Sequence, residues 1–314
     1  MTHVQVPAMR EQQNNELKIV VAILTYNRNE GLRDSARSVL DDIISSDNSG
    51  IIATVLIVDN NPTPQDFSDL IEGFQIEVSY VHVAEPGIAA GRNAAVEFAE
   101  TNAYNLLVFI DDDEVVAPGW SNALVATALE YGADAVFGPV EPEFSEDCPK
   151  WAKRFGFFER PHGVTGGPVR WPATNNVALR TDGALRGIRF DDRWSSTGGS
   201  DSRFFHDGLS KGASYVWCED AVVHERIGVQ RANMRWLWRR GVRLGNVSAR
   251  LNPRQLKAPV LVGAAIVRLA VALPVAAVYG VASPRRVGPT VMNIPKGVGM
   301  IRYLSGRLEN EYAR

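Results

Sequence analysis

The chain has 314 residues, 45% hydrophobic and 22% charged, the balance of a globular enzyme and not of a disordered or fibrous protein. Two cysteines, Cys148 and Cys218, without CxxC or Cys/His spacing, exclude a disulfide framework and a structural zinc site. The net charge of −3 conceals an asymmetry: residues 225–314 carry sixteen Lys and Arg against Glu225, Glu309 and Glu311, which points to an anionic partner for that third, such as phosphate groups, nucleic acid or a membrane surface.

Residues 1–17 are polar, lack the apolar stretch of a secretory signal and read as a disordered lead-in. Lys18–Leu24 (KIVVAIL) reads as a buried strand stopping at Thr25-Tyr26-Asn27-Arg28, and Leu32, Ala36, Val39, Leu40 and Ile43 then recur at helical spacing. A second strand, Thr54–Val58, ends at Asp59-Asn60-Asn61-Pro62. Val78–Val83 is a third, after which Pro86-Gly87 opens a helix through Arg92, Ala95 and Phe98. Leu106–Ile110 (LLVFI) is a fully apolar fourth strand running into Asp111-Asp112-Asp113-Glu114. Strands alternating with helices predict an α/β fold with a mostly parallel central sheet flanked by helices. Polar residues gather at the carboxyl ends of three strands, the edge where open α/β sheets bind ligands. Between Phe144 and Gly199, Gly and Pro thicken, predicting irregular loops over the site.

Four contiguous carboxylates repel one another unless a cation sits among them. Alternation in an extended chain makes Asp111 and Asp113 the natural pair for a hard divalent ion, which keeps waters and bridges to phosphate oxygens. An acidic loop or a structural calcium site is the plainer alternative. In Pro86 to Asn93 (PGIAAGRN), glycines at a helix start permit close approach of an anion, and Arg92 offers a fork-shaped charge for a diphosphate; a helix start with a surface Arg is the competing reading. Gly198-Gly199-Ser200-Asp201 precedes a helix predicted over Ser202–Leu209, so Asp201 is a candidate general base, with a helix cap as the alternative. His224 is a candidate further metal ligand, with a polar residue that merely ends a strand predicted over Ala221–Val223 as the alternative.

The ordered series TYNR (from Thr25), VDNN (from Val58), EPGIAAGRN (from Glu85), FIDDDE (from Phe109), GPV (from Gly138), TNN (from Thr174), GGSD (from Gly198) and VHER (from Val223) resembles the family 2 glycosyltransferases, most of all the succinoglycan-type bacterial exopolysaccharide glucosyltransferases. The resemblance covers residues 18–246 and implies the GT-A fold with a nucleotide-binding half and an acceptor-binding half. It implies that Thr25, Tyr26, Arg28 and Asp59 hold base and ribose and that Arg92 lies beside the diphosphate. Asp111 and Asp113 match the DxD acids, with Asp112 between them at the donor, a divalent Mn2+ or Mg2+ as cofactor, and Asp201 as base. Ser200 stands where relatives commonly have Glu. Gln230, Arg235 and Trp236 are similar to the QxxRW element of processive synthases, but the wider spacing argues for single-sugar transfer.

The expected enzyme is therefore an inverting transferase moving one sugar from a nucleotide diphosphate donor to a hydroxyl of a saccharide or lipid-linked saccharide. A sugar nucleotidyltransferase and a non-catalytic nucleotide- or saccharide-binding protein are the alternatives. Residues 247–314 form a separate basic and apolar region in this reading. Ala258–Ala282 is long enough to span a bilayer, yet Arg268, Pro259 and Pro274 favour a segment lying in or dipping into an anionic leaflet. A buried hairpin of helices or a dimer interface is the alternative. The expected location is cytoplasmic, at the inner face of the cell membrane, and nucleic acid is not an expected partner.

Overall fold

The computed structural model describes residues 16–45, 50–71, 76–251 and 258–309. The expected lead-in, apart from residues 16 and 17, lies outside them. In chain order the elements are β1 Leu17–Thr25, α1 Asn29–Ser45, β2 Ile51–Asp59, α2 Ser68–Ile71, β3 Glu77–His82 and α3 Ile88–Thr101. There follow β4 Leu106–Asp111, β5 Glu114–Val116, α4 Trp120–Tyr131, β6 Ala135–Phe137, β7 Val140–Phe144 and α5 Lys150–Arg154. The remainder comprises β8 Val177–Arg180, α6 Ser200–Ser210, β9 Tyr215–Trp217, β10 Val223–Ile227, α7 Met234–Leu251, α8 Ala258–Ala282, α9 Val287–Val291 and α10 Asn293–Leu304.

The main sheet has seven strands in the order β3-β2-β1-β4-β8-β6-β9. Strands β1 to β4 are mutually parallel, whereas β8 runs antiparallel to both of its neighbours, β4 and β6. The central strands are apolar on both faces because helices cover both: Val21 and Ile23 pack with Leu32, Val39 and Leu40 of α1, and Val20 and Ala22 pack with Ala95 and Ala99 of α3. Burial of these side chains is the main force holding the layers together, at about 1.5–3 kcal/mol for each large one. A second sheet, β5-β10-β7, stands beside the acidic turn.

Two expectations shift and a third stands. Asn246 falls inside α7, so the boundary placed after it divides a helix, and α7 packs along α10 to tie the C-terminal region to the main body. Approach is close because Cβ atoms at Gly241 and Gly245 would meet Pro295 and the Lys296 carbonyl. His224 lies within β10 and not at the end of a strand. The segment between β7 and α6 holds little regular structure apart from α5, β8 and the 3-10 turn Asp192–Trp194, as its Gly and Pro predict.

The apolar segment is one helix, α8, with Pro274 inside it. Ala265, Ala272 and Ala276 are buried, while Ile266, Val267, Leu273, Val278 and Val281 are exposed, Val281 to 91%. Its stretch Val262–Ala282 is long and apolar enough to cross a membrane, and little of it is buried within the protein.

Candidate active site

Strands β1, β2 and β4 end at the same level because Leu24 pairs with Asp111 and Thr25 with Asp59. The chain then turns through Asp112 and Asp113 before Glu114 opens β5. It is this turn, and not an extended run, that brings Asp111 and Asp113 close enough to repel each other. Burial first, then the neighbouring Asp113 charge, pushes the Asp111 carboxyl up to about 7, with Arg92 opposing. Burial likewise pushes Glu114 well up, and Asp111 and Glu225 add to the effect.

Asp112 is fixed from two sides. The Thr25 hydroxyl donates to it at 3.0 Å and Arg28 Nη1 at 3.0 Å. The same Arg28 nitrogen reaches Asp113 at 3.1 Å, while half of the Arg28 side chain stays exposed at 54%. Arg231, in the loop after β10, donates to Asp113 at 2.9 Å and also to Glu225. Glu225 is further held by Arg160 at 2.6 Å. Burial pushes the Glu225 carboxyl up, but Arg160, Arg231 and Arg240 outweigh it and hold the group down at about 2.

Asp59 is enclosed and accepts hydrogen bonds from the Asn61 and Gln65 backbone, the Asn61 amide and the Tyr80 hydroxyl at 2.7–2.9 Å. Its carboxylate organises the β2 loop, and Asn61 in turn accepts from the Asn27 backbone at 2.9 Å. Asn27 adopts a φ of 55°, a conformation that costs a side-chain-bearing residue energy and that the Asn61 contact supports. Tyr26 lies beside it, half-buried.

Across the crevice, Gly87 takes a φ of 139° and serves as the N-cap of α3 without a side-chain cap. Its backbone is pinned by Asn60, whose amide also donates to the Val83 and Glu85 carbonyls. One turn on, the Arg92 side chain is buried, lies over the Phe190 ring at 5.5 Å and donates to Ser200 Oγ at 3.0 Å. Among the described residues Arg92 makes no ion pair. A buried cation whose nearest acid, Asp111, acts on it only through space and not in an ion pair can take a further anion as partner. Ser200 opens α6, whose N-cap is Gly199 at φ 93°, again with no side-chain cap, so Asp201 sits in the first turn and is not the cap. The Asp201 carboxylate accepts from the backbone of Ser202 at 2.7 Å.

The structure thus gathers Thr25, Arg28, Asp111, Asp112 and Asp113, with Arg92 in electrostatic reach and Asp201 one residue beyond its partner. His224 is not gathered with them. It pairs across β7 with Glu141, while Glu225 pairs with Glu114, so strand alternation aims His224 at the opposite face from the acids. Among the described residues no three His, Cys, Asp or Glu side chains form a ready metal cage. The donor chemistry nevertheless fits Mg2+ or Mn2+, which take one or two carboxylates and complete their shell with phosphate oxygens and water. Sequence reasoning named Glu114 only as part of the carboxylate run and missed Glu225, Arg160 and Arg231 as site residues. The VHER motif contained Glu225, but its partners come from distant loops.

The site is a sheet of this order with an acidic turn at the β4 end and basic side chains facing it. The family model described as Glycosyl transferase family 2 matches residues 20–186, and the chain belongs to that family. It is 31% identical over 243 residues to the succinoglycan biosynthesis protein ExoM of Rhizobium meliloti (strain 1021), covering 76% of each chain. The fold is similar to that of S. aureus TarS 1-349, with a TM-score of 0.51 at 16% identity over 95% of this chain and 93% of that one. TarS 1-349 in complex with UDP-GlcNAc matches over the same shares, with a TM-score of 0.52 at 15% identity.

Proposed function

We propose that this glycosyltransferase moves a single sugar, with inversion, from a nucleoside diphosphate sugar to a hydroxyl of a saccharide or lipid-linked saccharide in surface polysaccharide synthesis. The observation that carries this reading is the bond from Arg92 to Ser200. It joins a buried cation that acts on Asp111 to the residue before Asp201, which supports a site for an anionic leaving group with a base nearby. The ExoM relative supports the polysaccharide context, and the TarS complexes with UDP and UDP-GlcNAc support the donor class.

Arg92 and Arg28 neutralise charge on the departing diphosphate, and Thr25 and Asp112 fix the turn that receives it. A divalent cation held by Asp113, with Asp111 beside it, would supply Lewis-acid stabilisation of the same oxygens. Asp201 takes the proton of the attacking hydroxyl. That oxygen bonds to the anomeric carbon from the face opposite the diphosphate, whose oxygen leaves with the electron pair of the broken C–O bond. The exposed apolar side chains of α8, flanked by Arg285 and Arg286, support docking to the inner face of an anionic membrane. Incubation with a panel of nucleotide sugars and Mn2+ tests the reading: release of nucleoside diphosphate from one donor supports it, whereas binding of every donor without turnover in the presence of saccharide acceptors assigns the chain to the non-catalytic alternative.

A further inference from the structure

Two guanidinium groups converge on one oxygen of the acidic turn. Arg28 Nη1 reaches Asp113 Oδ2 at 3.1 Å, and Arg231 Nη1 reaches the same oxygen at 2.9 Å. This is the side chain expected to hold a divalent cation, and a cation on either of its oxygens meets two positive charges already seated there. Like charges so close oppose each other. The turn itself is held, because the Asp113 carbonyl accepts from the Arg226 backbone of β10 at 3.0 Å. The arginines, and not the turn, must yield.

Both can do so without losing their last carboxylate. Arg28 keeps Asp112 at 3.0 Å, and Arg231 keeps Glu225 through its other terminal nitrogen. Arg160 also stays on Glu225 at 2.6 Å. Arg231 stands in the short loop between β10 and α7, where its guanidinium lies over the Trp236 ring at 5.3 Å. Its Nε is buried and, among the described residues, has no hydrogen-bond partner. A buried donor left unpaired is costly, and an incoming anionic oxygen relieves that cost.

We propose that Arg231, with Arg28, stands in for the cation on Asp113. The two guanidiniums hold that carboxylate in place, and Arg231 passes from it to a phosphate oxygen of the donor as a divalent cation takes the carboxylate. Arg231 is thereby a positioning residue for Asp113 and a ligand of the diphosphate, and cation and diphosphate enter as coupled partners. The phosphate half rests on the glycosyltransferase reading, whereas the Asp113 half is tested by the metal alone.

Mn2+ is titrated into the full-length protein and the free ion followed by electron paramagnetic resonance, first alone and then with UDP, GDP, ADP, CDP or dTDP. Arg231→Gln is expected to bind Mn2+ alone about tenfold more tightly than wild type, the scale of one displaced charge-assisted contact. Arg28→Gln should shift in the same direction. Nucleotide should tighten Mn2+ in wild type and much less in Arg231→Gln, and by reciprocity Mn2+ should tighten nucleotide less in that variant. Arg226→Gln is the control for charge alone. Its side chain pairs with Asp34 and, by strand alternation, lies on the other face of β10 from Glu225, so Mn2+ affinity should hold.

Unchanged or weaker Mn2+ affinity in folded Arg231→Gln overturns the proposal. Should that variant fail to fold, Arg28→Gln decides by the same criterion. An equal gain in Arg226→Gln also overturns it, because general charge and not the Asp113 contact would then govern the ion. Nucleotide that tightens Mn2+ equally in wild type and Arg231→Gln overturns the transfer to phosphate. If no nucleotide binds wild type at all, the glycosyltransferase reading fails, while the response to Mn2+ alone still decides whether Arg231 holds the place of the cation.

Discussion

Arg231 donates to Asp113 at 2.9 Å across 118 positions of sequence, and its other terminal nitrogen meets Glu225. One guanidinium thereby joins the acidic turn after β4 to the small sheet. Arg231→Gln removes the shared cation from two carboxylates, one of them buried. The expected loss is about 1.5–3 kcal/mol of stability, the range for hydrogen bonds to charged groups, measurable by urea denaturation. Donor affinity should fall as well, since Asp113 loses a support that fixes its orientation.

Glu225 gives the pH dependence a definite sign. Its carboxyl is held at about 2, below the ordinary 4.5, so the unfolded chain binds more protons between those values. The stabilisation is fully present above 4.5 and is lost as pH falls toward 2. Unfolding midpoints in urea should therefore drop through this window in the wild type. In Glu225→Gln the drop should be shallower by close to one proton, and an identical slope would remove Glu225 from the acid response.

Asp201→Asn should lower transfer by about 100-fold or more, the usual scale for a general base, with nucleotide binding little changed. Because Gly199 caps α6 without help from a side chain, the melting temperature should stay close to wild type. A large fall in stability with the rate retained would mean that the side chain serves the helix.

Gly138 tests the support beneath the site. A Cβ there would lie 2.1 Å from the Ala221 carbonyl and 2.4 Å from the Asn176 amide. Asn176 accepts from Trp120 Nε1 at 2.8 Å and donates to the Pro139 and Ala221 carbonyls, so it has no room to move. Gly138→Ala should cost about 1–3 kcal/mol, read by thermal or urea melting.

Much of this was legible in the chain. The apolar runs of β1, β2 and β4 and the helix periods between them fix a parallel sheet, because a strand buried on both faces has no polar alternation to confuse it. Asp111 to Asp113 and Arg92 were visible as charges at strand and helix ends. What could not be read is pairing at long range. Nothing near Asp113 announces Arg231, and nothing near Arg92 announces Ser200. His224 shows the complementary error: one step of strand register turns a side chain to the other face, and the end of β10 was placed four residues short. The GPV and TNN motifs also turned out to secure the sheet junction through Gly138 and Asn176.

The most direct test of the account titrates nucleoside diphosphates, UDP among them, into wild type and Asp113→Asn, each with Mn2+ and with EDTA. Asp113 is predicted to hold the cation that receives the diphosphate. In wild type the preferred nucleotide should bind about tenfold or more tightly with Mn2+ than in EDTA, a difference of about 1.4 kcal/mol or more. In Asp113→Asn that metal-dependent gain should vanish while the protein stays folded. Equal affinity in Mn2+ and EDTA for the wild type, or a full metal effect in Asp113→Asn, would contradict the account.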